Sequence, residues 1–142
     1  MKQTIKLTLA LVLAFSMLLC LVSCAEKVDA SGRWEDATWR SDREFGKGEV
    51  TVQVEVKVEE QSVTFTIHTD REMLGDALLE HELLEGDEGP YGLYVKRVNG
   101  MLADYDVDGT YWALYKDGAY ATSGVDTTKI ADGEHYELVL SK

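Results

Sequence analysis

Glu49-Val50-Thr51-Val52-Gln53-Val54-Glu55-Val56-Lys57-Val58 is the stretch on which the fold turns. A valine stands at every second position and a polar residue fills each gap. Successive side chains of a strand point to opposite faces, so this run is a strand with one apolar face and one wet face. Branching at Cβ also favours the extended backbone. Glu59-Glu60-Gln61 turns the chain. Val63, Phe65 and Ile67 then alternate with Thr64, Thr66 and His68, which makes the second run the hairpin partner of the first.

Working outward, Thr69-Asp70-Arg71-Glu72 has the form of a capping box, a threonine oxygen for the N3 amide with the glutamate reaching back. Leu74, Ala77, Leu78 and His81 follow at helical spacing, Leu84 continues the stripe, and Gly86 is the expected stop. So short a helix must pack on the sheet to be stable. Beyond Pro90, Tyr91 to Val98 reads as a strand closed by Asn99-Gly100, a strong turn signal. Tyr111 to Tyr115 is the next strand, and Asp117-Gly118 turns it into Ala119-Tyr120-Ala121. Asp132-Gly133 precedes a last strand, Glu134 to Leu140. The expected class is α+β: one helix packed on a mixed, mostly antiparallel β-sheet, resembling the β-grasp.

The N-terminus reads as an address. Lys2 and Lys6 precede an apolar run from Leu7 that includes Leu9 to Phe15 and Met17 to Leu19. A positive start followed by an apolar segment is the secretory pattern. The segment approaches the roughly 20 residues of a membrane span. Leu21-Val22-Ser23-Cys24 decides between the two, because it resembles the lipobox of bacterial lipoproteins. There the cysteine thiol takes a diacylglyceryl group and signal peptidase cuts just before it, so the resemblance implies lipidation at Cys24. Two acyl chains are the number that stable anchoring needs. The expected organisation is a lipoprotein signal peptide over 1–23, a lipid-anchored tether over 24–47 and a folded domain over 48–142. The expected location is the extracytoplasmic face of the cell membrane. Trp34 and Trp39 within the tether either pack on the domain or sit at the lipid interface.

Cleavage there would remove two of the 14 basic side chains and none of the 26 acidic ones, taking the formal charge from −12 to −14. Such a surface repels nucleic acid and anionic headgroups. Cys20 would leave with the signal, so the mature domain has no free thiol for catalysis or metal binding and no disulfide.

Met73 to Leu140 resembles a known family, the transcobalamin C-terminal-like domains. The residues that carry the likeness are Met73-Leu74-Gly75-Asp76-Ala77-Leu78, Gly92-Leu93-Tyr94-Val95 and Val98-Asn99-Gly100. They continue through Tyr111-Trp112-Ala113-Leu114-Tyr115, Asp117-Gly118, Gly124-Val125 and Asp132-Gly133. The resemblance implies the fold, and it implies a corrinoid as candidate ligand with no resident cofactor. In transcobalamin and intrinsic factor this domain closes over cobalamin that a large helical domain also holds. A lone domain offers half of such a site, with little of the enclosure on which ligand pockets rely.

The second half is rich in aromatic residues, and Tyr105, Tyr111, Trp112, Tyr115 and Tyr120 are the candidate ligand-binding residues. Tyr111 and Tyr115 share a face of their strand with Ala113, and Trp112 and Leu114 share the other. One set is core and the other a platform for a flat ligand; Trp112 suits the core. The loops 85–91, 99–110 and 123–129 would frame the site. Asp104, Asp106 and Asp108 before Gly109 have the spacing of a calcium loop, but Tyr115 stands where the closing bidentate acid belongs. The run therefore reads first as a solvated acidic loop, with calcium as the alternative. His68, His81 and His135 lie on different elements without metal-ligand spacing. No nucleophile elbow, P-loop, H-E-x-x-H or dinucleotide fingerprint is present. The expected function is therefore non-catalytic: a cell-surface lipoprotein whose domain binds a small molecule and passes it to a transporter component. The alternative is an interaction module that docks an envelope protein or polymer.

Overall fold

A computed structural model describes residues 30–142. The signal peptide expected over 1–23 and the lipidation expected at Cys24 lie outside the described residues. Among the described residues no helix is long and apolar enough to cross a membrane.

The valine stretch forms β2 (Val50–Val58). It pairs in antiparallel register with β3 (Gln61–Thr69) from Val50 opposite Thr69 to Val58 opposite Gln61. Val52, Val54, Val56, Val63, Phe65 and Ile67 are all essentially inaccessible to water. With β1 (Arg43–Gly46) at one edge, these two strands belong to a six-stranded sheet whose order is β1-β3-β2-β9-β7-β8. β9 (His135–Ser141) runs parallel to β2, and β7 (Tyr111–Lys116) runs antiparallel to β9. β8 (Ala119–Tyr120) caps only the last two residues of β7. A second, antiparallel sheet has the order β4-β5-β6, from Leu84–Gly89, Gly92–Val98 and Met101–Leu102. Its inner residues Leu84, Val98 and Met101 share one core with the large sheet and with helix α1 (Leu74–Leu79). The class is α+β, as expected, with the sheet divided in two.

Several local expectations fail, each for an identifiable reason. The capping box does not cap. Thr69 Oγ1 accepts from the amide of Arg71 at 3.0 Å, and the N-cap of α1 is Met73, without a side-chain bond. The backbone of a distant segment does the work instead: Leu74 N donates to Thr128 O at 2.9 Å and Ile130 N to Glu72 O at 3.0 Å. α1 stops at Leu79, before His81, Leu84 and Gly86. Glu82 takes a positive φ of 55°, and Leu84 opens a strand opposite Val98. Gly86 lies in that strand at a bulge; a Cβ there would meet Tyr94 O at 2.2 Å.

Within the tether expected over 24–47, the described residues from Ala30 onward form secondary structure. Ala30–Asp36 is a 3-10 helix, and β1 (Arg43–Gly46) pairs in parallel with β3. Trp34, Trp39 and Phe45 are partly buried against the core. Phe45 meets Phe65 edge-on at 5.6 Å and Trp39 at 6.2 Å, and the Arg43 guanidinium lies 3.7 Å from the Trp39 ring centre. Trp34 and Trp39 thus belong to the domain. Asn99 secures them: its side chain accepts from Trp39 N at 2.9 Å and donates to Trp39 O at 2.8 Å. Asn99 and Gly100 both have positive φ, as the predicted tight turn requires. Gly100 must also lack a Cβ, which would meet Thr38 Oγ1 at 2.6 Å and Asp36 O at 2.7 Å.

Tyr136 is the largest fully buried side chain. Its hydroxyl donates to Glu134, which also receives Lys116 Nζ at 3.1 Å. Burial and then the neighbouring Glu134 charge push the Tyr136 phenol well above its usual range. At Glu134 burial works the other way, yet the bonds from Tyr136 and Lys116 prevail and hold its carboxyl below the ordinary value.

Candidate ligand-binding site

β7 has only a partial neighbour on one side. Its hydrogen-bonded partner there is β8, which covers Tyr115 and Lys116, and the last bond of that hairpin is Ala121 N to Leu114 O at 2.9 Å. Backbone groups of alternate residues point to the same side of a strand. Trp112 therefore presents its backbone to an edge that no strand occupies. Facing that edge are β5 and the segment 121–125, which ends in a short 3-10 helix, Val125–Thr127. The space between them is a hollow of about 320 Å³. Leu93, Val95, Leu114, Val125 and Leu138 make it apolar within; Tyr94, Tyr111, Trp112, Tyr120, Thr122 and Ser123 complete its walls.

Asp126 holds the far wall in place. Its Oδ2 accepts from Leu93 N at 3.1 Å, tying the 3-10 helix to β5. Gly92, with φ of 99°, makes that approach possible, because a Cβ would lie 2.3 Å from the same oxygen. Trp112 itself is 8% exposed and packs in the core, and its indole Nε1–H has no acceptor among the described residues. A buried donor without a partner is uncommon and costs free energy.

A second, open shelf of about 490 Å³ adjoins the hollow and shares Tyr94 and Tyr111 with it; Tyr105 and Asp106 complete it. Tyr105 and Tyr111 meet edge-on at 6.5 Å. Tyr105 opens helix α2 (Tyr105–Asp108) and is 61% exposed.

Of the five aromatic candidates, Tyr111, Trp112 and Tyr120 line the hollow, and Tyr105 and Tyr111 line the shelf. Tyr115 stands apart, edge-on to Tyr120 at 5.5 Å, on the face of β7 away from the core. Tyr94 was not among the candidates, although the alternation of β5 turns it away from Leu93 and Val95. Leu93, Val95 and the segment 121–122 carry no chemical motif, and only the fold brings them to the hollow. The loops 99–110 and 123–129 contribute as expected, whereas most of 85–91 is strand β4 with Tyr91 fully exposed at its hairpin tip.

The aspartate loop weighed for calcium is held by bonds of its own. Asp104 caps α2 by accepting from Asp106 N at 3.1 Å, and Asp108 accepts from Thr110 Oγ1 at 2.5 Å and from Arg33. The Thr110 hydroxyl and, behind it, the Arg33 guanidinium hold the Asp108 carboxyl below its usual range. Asp104 and Asp108 thus close the loop on itself, and the Asp106 carboxylate takes no partner among the described residues. Among the described residues no three His, Cys, Asp or Glu side chains converge on one point. His68 and His81 line a common hollow near Gly46 and Gly48. His68 is engaged there by Thr51 Oγ1 at 2.8 Å and by Glu44, and His81 Nε2 is buried against Gly46. His135 lies elsewhere, 3.8 Å from Glu55.

No curated protein matches the chain. Residues 72–141 match a family described as a domain of unknown function, DUF4430. Among solved structures, a "putative metal binding protein" from Ruminococcus gnavus ATCC 29149 is 30% identical. The match covers 66% of this chain and 98% of that one, with a TM-score of 0.63. Haptocorrin in complex with Cbi has the same fold at 22% identity and a TM-score of 0.51. That match covers 69% of this chain and 26% of haptocorrin, so the chain spans about a quarter of that protein. With residues 72–141 matching DUF4430 and 30% identity across nearly all of the Ruminococcus gnavus protein, the chain belongs to the DUF4430 family.

Proposed function

We propose that this chain is a non-catalytic, extracytoplasmic lipoprotein anchored through Cys24, whose domain binds a small amide-bearing ligand of the corrinoid class at the hollow beside β7. The observation that carries the reading is the hollow itself: an apolar floor walled by aromatic side chains, Trp112 among them, whose buried indole donor has no partner among the described residues. A ligand amide oxygen would satisfy that donor and offset its desolvation. Haptocorrin, with Cbi bound, supports the choice of ligand class.

At about 320 Å³ the hollow lies at the lower end of ligand pockets and takes only part of a corrinoid. The domain then acts as one half of a clamp. An anchored clamp suits brief capture and hand-over to a transporter component in the same membrane. No metal or cofactor resides in the domain on this reading.

Titration of the purified full-length chain with cobalamin and with cobinamide, followed by absorbance and calorimetry, tests the proposal. Saturable binding that Trp112→Phe weakens about tenfold is expected, since this change keeps the ring and removes the donor. Absence of binding by either compound at millimolar concentration rejects the corrinoid reading.

A further inference from the structure

The shelf beside the hollow has a chemistry of its own. Three tyrosines, Tyr94, Tyr105 and Tyr111, line it with one carboxylate, Asp106. Tyr105 and Tyr111 stand at 65° to one another, so two rings form a corner rather than a stack. The faces of aromatic rings are electron-rich and attract cations within about 6 Å of the ring centre.

The local charge balance favours the same kind of guest. Arg33 is committed to Asp108, and Lys96 is paired with Asp87 at 2.9 Å. The Asp106 carboxylate has no ion pair or hydrogen-bond donor among the described residues. The chain as a whole carries a formal charge of −12. The corner therefore brings three tyrosines beside an uncompensated carboxylate, and the shelf is open enough to admit a bulky, weakly hydrated cation. A small metal ion would need several convergent oxygen ligands, and one carboxylate does not supply them.

We infer that Tyr94, Tyr105, Tyr111 and Asp106 form a binding site for a quaternary ammonium group. The site lies outside the Trp112 hollow and does not depend on that hollow being occupied. Free choline fits it better than a phosphocholine headgroup, because Asp104 and Asp106 together repel a phosphate held close to the ammonium.

The test is an NMR titration of the isotope-labelled full-length chain in maltoside micelles with three probes. The probes are choline, glycerophosphocholine and 3,3-dimethylbutan-1-ol, the neutral isostere of choline, with sodium chloride as the ionic-strength control. Choline is expected to shift the amides of the four shelf residues in a saturable way, and the neutral isostere to bind at least about fivefold more weakly. Tyr105→Ala should weaken choline about two- to fivefold, the range of one exposed cation–π contact, whereas Tyr105→Phe should retain it. Asp106→Asn should weaken choline without affecting the isostere. Equal binding of glycerophosphocholine would assign the ammonium to a lipid headgroup, within the same chemistry. Shifts no larger than those from sodium chloride, or equal binding of the neutral isostere, would overturn the inference. Choline binding that persists in Trp112→Phe, alongside failed corrinoid titration, would remove the hollow reading and leave this one standing.

Discussion

The two hairpins of this molecule, β2–β3 and β4–β5, are built on opposite plans. In β2–β3 nine residues face nine in unbroken register, and the inward side chains are apolar and inaccessible to water. In β4–β5 the register slips at Glu85/Gly86 and glycines interrupt both strands. Tyr91 at its tip is fully exposed, and Tyr94 is 43% exposed. The first hairpin spends its side chains on the core. The second gives only Leu84, Val98 and a few partly buried neighbours to the core and turns Tyr94 toward the shelf and hollow. On the proposed function, stability and recognition are carried by different hairpins, and substitutions should separate them.

The largest effect is expected in the first hairpin. Phe65→Ala removes a ring buried between Phe45 and the sheet and should cost about 3–5 kcal/mol, read from the denaturant midpoint. A cost below about 1 kcal/mol would break the contrast between the two hairpins.

Asn99→Ala comes next, because Asn99 lies at the far end of the second hairpin. It loses two bonds to Trp39 and forces a non-glycine residue with little taste for positive φ into that region. A loss of about 2–3 kcal/mol is expected, with a change in Trp39 fluorescence as the 3-10 segment detaches. If stability falls and the tryptophan signal does not move, the proposed docking of residues 33–40 is wrong.

Asp108→Asn should cost about 1–2 kcal/mol near neutral pH, since the side chain is 10% exposed and bonded to Thr110 and Arg33. The sign follows from its depressed carboxyl. That contribution is complete above the ordinary aspartate value near pH 4 and is lost as the pH falls through the lower folded value. Acid titration of the wild type should therefore converge on the variant at low pH. Parallel curves down to about pH 2 would show that the charge of Asp108 does not matter.

Tyr105→Ala should have the smallest effect on stability, within about 0.5 kcal/mol, because the ring is mostly exposed. Its effect belongs to ligand binding. A thermal shift as large as that of Asn99→Ala would mean that the shelf is part of the core.

Much of the fold was legible in the sequence. The alternation of valines placed β2 and β3, and Asn99-Gly100 and Asp117-Gly118 marked turns that both take positive φ. These features are local: period two and a demand for left-handed backbone are properties of a few adjacent residues. β1 and β4 were not legible. Arg43–Gly46 and Leu84–Gly89 hold glycines and charges that read as loop, and they are strands because a neighbouring strand supplies their hydrogen bonds. The capping box showed the reverse. Its residues carry the right local signal, but the backbone of Thr128 to Ile130 took the role over.

The site divides in the same way. Tyr105, Tyr111, Trp112 and Tyr120 stood out by residue type, and they do line the hollow and the shelf. Tyr115 belongs to the same run and shares its face with Tyr111, but it lies at the β8 end of the strand against Tyr120 and outside the hollow.

By itself, then, the sequence determined the α+β class, the central hairpin, the tight turns and an aromatic-rich second half, because each depends on residues close together in the chain. The tertiary structure alone decided that β7 has an uncovered edge, that Asp126 ties the wall opposite it, and that Asp104 and Asp108 close their own loop instead of gathering on a cation. Those outcomes depend on groups up to 75 positions apart, as in the bond between Arg33 and Asp108. Their meeting is settled by which buried surfaces and backbone bonds are satisfied together, and no local pattern encodes that choice.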